Sequence, residues 1–269
     1  MNTLEKVYAT PSGDIHYWIT AGEPEKPWLV FLPGLTADHH LFDQQIPAFP
    51  EYNRLTWDAP GHAASRPFAL NFSMDDMARY LHEILEAEGI QNPVLIGQSL
   101  GGYIAQCYLA MYPGTVSGFV SIDSAPLSWK YFSGWELALL KDTRWMYEMI
   151  PWKLLLKWGI SGTSQTPYGR ELMAKTWAVY DREGYMELTV HGYRILAEAV
   201  EARPEYRIDC PALLLCGEKD AAGSAKSYNR RWAKIDGLPL NWLAGAGHNS
   251  NTDAPEEVNR LIGEFSKTL

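Results

Sequence analysis

Six short apolar runs, each closing on turn residues, constrain this chain more than any other feature. They are PWLVFLPG (27–34), NRLTWDAPG (53–61), PVLIGQS (93–99), VSGFVSIDS (116–124), PALLLCGEKD (211–220) and PLNWLAGAGH (239–248). Such runs have the look of strands buried on both faces. Helical segments alternate with them. Ser73 is placed to cap a helix whose apolar stripe is Met74, Met77, Ala78, Leu81, Ile84 and Leu85, with Gly89 closing it. Further helices are expected over 100–112, ended by Pro113, near 224–235, and from about 254. Before all of these, residues 5–9 and 14–21 flank the turn PSGD and read as a hairpin. Strands alternating with helices imply an α/β fold with a mainly parallel central sheet and helices on both faces. At 269 residues the chain could hold one large domain or two small ones, and the lack of any linker composition favours one.

From 125 to 205 the alternation stops, and several helices rich in Trp, Met, Tyr and Leu are expected. The reading is therefore a core of 1–124 and 206–269 with a helical insertion at 125–205. The whole chain holds 11 Trp and 15 Tyr, and many fall in this insertion. A formal net charge of −9 leaves no basic stripe to neutralise phosphates, which argues against a nucleic-acid partner, and a small molecule is expected. Cys107, Cys210 and Cys216 are odd in number and lack metal-ligand spacing, so they read as packing residues, with no metal and no cofactor expected. The N-terminus has no basic-then-apolar leader and no apolar run reaches membrane-spanning length, so a cytoplasmic monomer or homodimer is expected.

Chemistry enters at Gly97-Gln98-Ser99-Leu100-Gly101, between an apolar strand and a helix. A nucleophile held on a sharp strand-to-helix turn needs small neighbours two positions to either side, and the helix N-terminus lends partial positive charge where an oxyanion would form. A serine hydroxyl also needs a base, and the base an orienting carboxylate. In the order Ser, acid, His, the base is His248 after the last strand; Asp220, ending PALLLCGEKD, is the favoured acid, with Asp123 at the end of VSGFVSID the competitor. Of the other histidines, His39 or His40 are candidates for the mouth of the site.

With GQSLG at 97–101, GEKD at 217–220, GAGH at 245–248 and DAPGHAAS at 58–65 in this order, the chain resembles the α/β-hydrolase superfamily over nearly its whole length outside the insertion. That resemblance implies an α/β-hydrolase fold with 125–205 as a helical cap, and an oxyanion hole from the backbone N–H groups of Leu35 and Leu100, with Gly34 letting the backbone approach. Two departures stand out: Pro33-Gly34 where many members carry His-Gly, and Ala63 at a position usually glycine in the Asp-x-x-Gly-x-Gly turn. Trp129, Phe132, Trp135 and Met146 are candidates for an apolar pocket under the cap. The leading expectation is a serine hydrolase of a small, apolar ester or related acyl compound. Its rivals are a carbon–carbon bond hydrolase of keto acids, a lactonase or thioesterase, a lyase using the His–Asp pair, and a ligand-binding receptor that does not turn over. An arginine or lysine facing Ser99 would favour the keto-acid reading, and an aspartate nucleophile would have pointed to epoxide or haloalkane chemistry.

Overall fold

The computed structural model describes residues 3–23, 25–203 and 206–269. Eight strands form a single sheet: β1 (Thr3–Thr10), β2 (Gly13–Thr20), β3 (Trp28–Leu32), β4 (Asn53–Trp57), β5 (Val94–Gln98), β6 (Gly118–Ile122), β7 (Ala212–Gly217) and β8 (Leu240–Leu243). Their spatial order is β1-β2-β4-β3-β5-β6-β7-β8. The β1–β2 hairpin and the β2–β4 pair are antiparallel, and every pairing from β4 to β8 is parallel. The apolar runs explain this arrangement. Every residue of β4, β5, β6 and β7 is buried, as strands covered by helices on both faces must be, whereas β1 at the edge is largely exposed.

Helix α1 (Met74–Ala87) opens with a full capping box. The Ser73 hydroxyl accepts from Asp76 N at 3.1 Å, and Asp76 Oδ2 accepts from Ser73 N at 2.9 Å. All six residues of the stripe named above are buried against the sheet, together with Tyr80. Helix α2 (Leu100–Met111) is apolar and buried on nearly every side, because it lies between the sheet, α1 and a later helix. On the C-terminal side, α8 (Ala225–Asp236), the short α9 (Ser250–Asp253) and α10 (Pro255–Ser266) complete the layers.

Between β6 and β7 the chain runs through α3 (Gly134–Lys141), α4 (Arg144–Met149), α5 (Trp152–Thr163), α6 (Pro167–Trp177) and α7 (Arg182–Glu201). These helices differ in how they pack. The second half of α7 contributes Ile195, Ala197, Ala199 and Val200 to the same apolar core as α1 and α2, so the last helix of the insertion is welded to the sheet's helical layer. Helices α4 and α5 bury no residue fully, and Trp145, Met149 and Trp158 stand in solvent. The insertion's expected C-terminal limit falls at Pro204 and Glu205, outside the described residues. No helix among the described residues is long and apolar enough to cross a membrane.

The topology reverses at β3: the chain leaves it for β4 on one side and returns to β5 on the other. Loops leaving the C-terminal ends of β3 and β5 therefore diverge, and in open α/β sheets that divergence opens a crevice where ligands bind.

Candidate active site

Ser99 sits at that crevice, on the bend between β5 and α2, with φ 49° and ψ −116°, a backbone conformation that costs energy for any residue with a Cβ. The surroundings hold it there. Ser99 N donates to Ile122 O at 2.9 Å, and Ser99 O accepts from Gly102 N at 3.0 Å and from the Ser124 hydroxyl at 2.7 Å. The flanking glycines are required by contact. A methyl at Gly97 would stand 2.4 Å from the Gly101 carbonyl, and one at Gly101 would stand 1.9 Å from Leu32 O. Gly102 is equally constrained by Ser124, 2.5 Å from where its Cβ would be.

The Ser99 hydroxyl lies 2.9 Å from His248 Nε2, and His248 Nδ1 lies 3.0 Å from Asp220 Oδ2. An ionised Asp220 can only accept, so the ring proton belongs on Nδ1 and Nε2 is left to accept from the serine. Asp220 is fully buried at the end of β7, and its other oxygen accepts from Ala222 N at 2.8 Å. Burial alone would lower the pKa of His248, but the charge and hydrogen bond of Asp220, with the charge of Asp123, outweigh it and raise the imidazole above its usual value.

Asp123, the competing acid, makes a different set of bonds. Its two oxygens accept from Gly217 N at 2.7 Å and Ser250 N at 2.8 Å, so it straps the end of β7 to the loop after His248. Burial and the neighbouring Asp220 charge raise its pKa. Asp123, Cys216 and Asp220 lie close enough that their ligand atoms could share an ion. Four oxygens on the two carboxylates, however, are already engaged by N–H donors.

Leu100 is the first residue of α2, so its N–H is among the four that helix geometry leaves without an intrahelical partner. The Gly34–Leu35 segment passes directly beside the serine: a methyl on Gly34 would come within 3.1 Å of Ser99 Cβ and 2.2 Å of Gln98 Oε1. Ala63 takes φ 36°, keeping the positive dihedral of a position where glycine would be unstrained.

Two positioning groups carry no signal in the sequence. Gln98 Nε2 donates to His248 O at 2.8 Å, tying the elbow to the histidine loop across 150 residues. Asp253 accepts from Gly247 N at 2.8 Å and also from Gln165 N, Thr166 N and the Thr166 hydroxyl, joining that loop to the α5–α6 connection above it.

A cavity of about 390 Å³ opens beside Ser99 and His248. Phe132, Trp135 and Met146 are in its wall, along with Leu139, Tyr147 and Tyr228. Trp129, expected there, is not: it lies in a 3-10 turn over 129–131, pinned by its N–H to Arg203 O, with its side chain 42 % exposed. His39 and His40 line a separate concavity with Asp38, Asp58 and Tyr168, where the His39 ring stacks on Trp18 and bonds Asp58. Among the described residues the wall of the Ser99 cavity contains no lysine or arginine.

Over 106 residues the chain is 36% identical to 2-succinyl-6-hydroxy-2,4-cyclohexadiene-1-carboxylate synthase of Escherichia coli O1:K1, a match that takes in 39% of this chain and 42% of that protein. The chain thus spans less than half the length of the curated relatives it matches. Among solved structures it superposes on a loop variant of the haloalkane dehalogenase DbeA from Bradyrhizobium elkanii with a TM-score of 0.78 at 19% identity, covering 99% of this chain and 97% of that one. It also superposes on a thermophilic esterase from Thermogutta terrifontis with a TM-score of 0.72 at 20% identity, covering 100% and 99%. At such identities these structures show a shared fold. The sequence profile of the alpha/beta hydrolase fold family matches residues 27–255, and the chain belongs to that family.

Proposed function

We propose that the protein hydrolyses small, predominantly apolar carboxylic esters through a covalent acyl-enzyme. The observation that carries this reading is the Ser99–His248–Asp220 chain, with contacts of 2.9 and 3.0 Å, on a strained elbow that opens into an apolar cavity. In the first half-reaction Ser99 Oγ attacks the ester carbonyl and gives its proton to His248 Nε2, while Asp220 steadies the resulting imidazolium. The tetrahedral oxyanion is received by the N–H groups of Leu35 and Leu100, a single such donor being worth about 3–4 kcal/mol in comparable sites. His248 then protonates the departing alcohol. In the second half-reaction water, deprotonated by His248, releases the acid and restores the serine.

The synthase relative supports a second reading, in which the same His–Asp pair serves a lyase or a carbon–carbon bond reaction on a carboxylate-bearing substrate. The cavity argues against it. A substrate with carboxylates calls for arginine or lysine partners, and among the described residues the wall beside Ser99 supplies neither. The deciding experiment is turnover of p-nitrophenyl esters of increasing acyl length by the wild type, Ser99→Ala and His248→Ala. Multiple turnovers are expected in the wild type, with losses of about three orders of magnitude or more in each variant at an unchanged Tm. Release that stops at one equivalent would sink hydrolytic turnover, and activity surviving in Ser99→Ala would sink the acyl-enzyme and favour the second reading.

A further inference from the structure

Resting on the ester-hydrolase reading, one feature of the cavity points to the charge of its substrate. Glu136, in the first turn of α3, is part of the wall beside Phe132, Trp135 and Tyr228. Its Oε2 accepts from Ser133 N at 2.9 Å and from the Ser133 hydroxyl, and its Oε1 accepts from Tyr228 Oη at 2.5 Å and from the Ser224 hydroxyl at 3.4 Å. Burial would raise its pKa, but the hydrogen bonds of Ser133 and Tyr228 outweigh that and hold the carboxyl below the usual range. Glu136 is therefore an anion at neutral pH.

Its carboxylate also lies beside the start of a helix. Ser224 and Ala225 open α8, whose N-terminus carries about half a positive charge, and both residues line the cavity. Glu136 bonds the side-chain hydroxyls of Ser224 and Tyr228 at the start of that helix, so its full negative charge sits beside the partial positive one. Deeper in, the other acidic residue in the wall is Asp123, whose pKa is pushed up to about 7 by burial and the Asp220 charge, while His248 is paired with Asp220. An incoming carboxylate thus meets acidic groups with no cation to pair with. An ammonium group meets an anion in a wall that also holds the aromatic rings of Phe132, Trp135 and Tyr228, residue types that stabilise quaternary ammonium ligands.

We infer that the cavity accepts esters whose acyl or alcohol part is uncharged or carries an ammonium group and rejects carboxylate-bearing ones, with Glu136 as the residue that sets this preference. The test compares kcat/KM for three p-nitrophenyl esters of similar shape: 4-(trimethylammonio)butanoate, its neutral counterpart 5,5-dimethylhexanoate, and glutarate monoester. In the wild type the ammonium ester is expected to be turned over at least as well as the neutral one, and the glutarate at least tenfold worse, about 1.4 kcal/mol. Glu136→Gln should cut the ratio of ammonium to glutarate turnover by tenfold or more. Trp135→Arg, a change at an exposed rim position, should raise glutarate turnover relative to the neutral ester. Calorimetric binding of butyltrimethylammonium and of pentanoate to Ser99→Ala separates this inference from the ester reading. Tighter binding of the ammonium supports the charge preference even if no ester is turned over. Equal binding, glutarate turned over as well as the neutral ester, or a ratio unmoved by Glu136→Gln would overturn it.

Discussion

At the residue scale the two acids beside His248 separate by what their oxygens hold. Asp220 bonds the imidazole, whereas Asp123 bonds two backbone N–H groups. Asp220→Asn is therefore expected to lower kcat by about 10³–10⁴-fold, by analogy with triads that lose their acid's charge. In the proposed reaction His248 is the base and acts in its neutral form, so activity should be lost as pH falls through its pKa, which is raised above the usual histidine value in the folded protein. Removing the Asp220 charge lowers that pKa, so the acid limb of the kcat/KM profile should move to lower pH in Asp220→Asn; a limb that stays put would release Asp220 from this role. Asp123→Asn turns one acceptor into a donor facing an N–H, at a cost of about 1–3 kcal/mol for an unpaired buried group. It should appear mainly as a lower Tm with a milder loss of kcat. That Ser99, His248 and Asp220 come together could be read from the sequence because each follows a strand in a turn with its own local signal. Trp129 and Trp135 were not separable in the same way, since which aromatic of a cap turns inward is decided by packing between helices distant in sequence.

At the element scale, caps and turns obey local rules with different stakes. The Ser73 capping box is exposed and outside the cavity wall, so Ser73→Ala should cost about 1 kcal/mol, a fall in Tm of a few degrees, with kcat unchanged. Gly101→Ala instead drives a methyl to 1.9 Å from Leu32 O. Backbone must shift to relieve that contact, so a loss of about 3 kcal/mol or more is expected in denaturant melts, together with lost activity as the elbow moves. A Gly101→Ala protein with wild-type stability and turnover would show that the elbow is looser than its geometry. Strands β3 to β7 were readable because a strand buried on both faces needs a largely apolar run, and the periodic stripe of α1 left no other face to bury; β8, at the sheet edge, is mostly half-buried. Helices α4 and α5, amphipathic only in part and half-exposed, have apolar residues that do not reveal which side meets the core.

At the scale of the whole molecule, one aspartate couples the helical insertion to the loop that carries His248. Asp253 holds Gly247, next to His248, and also the α5–α6 connection at Gln165 and Thr166. Asp253→Ala should leave several buried donors unpaired, lowering Tm by several degrees and kcat/KM by about tenfold or more. A fall in Tm without any change in kcat/KM would show that the strap is structural alone. The sequence by itself determined the alternating strand–helix order, the acidic surface charge, and the chain order of serine, acid and histidine, because each depends on neighbours a few residues apart. Only the tertiary structure decided that Gln98 and Asp253 hold the histidine loop, that α7 belongs half to the core, and that Glu136 meets Tyr228 across 92 residues in the cavity wall. Those contacts join side chains whose separation along the chain carries no periodicity, so they exist only once the sheet and its crossing helices have brought them together.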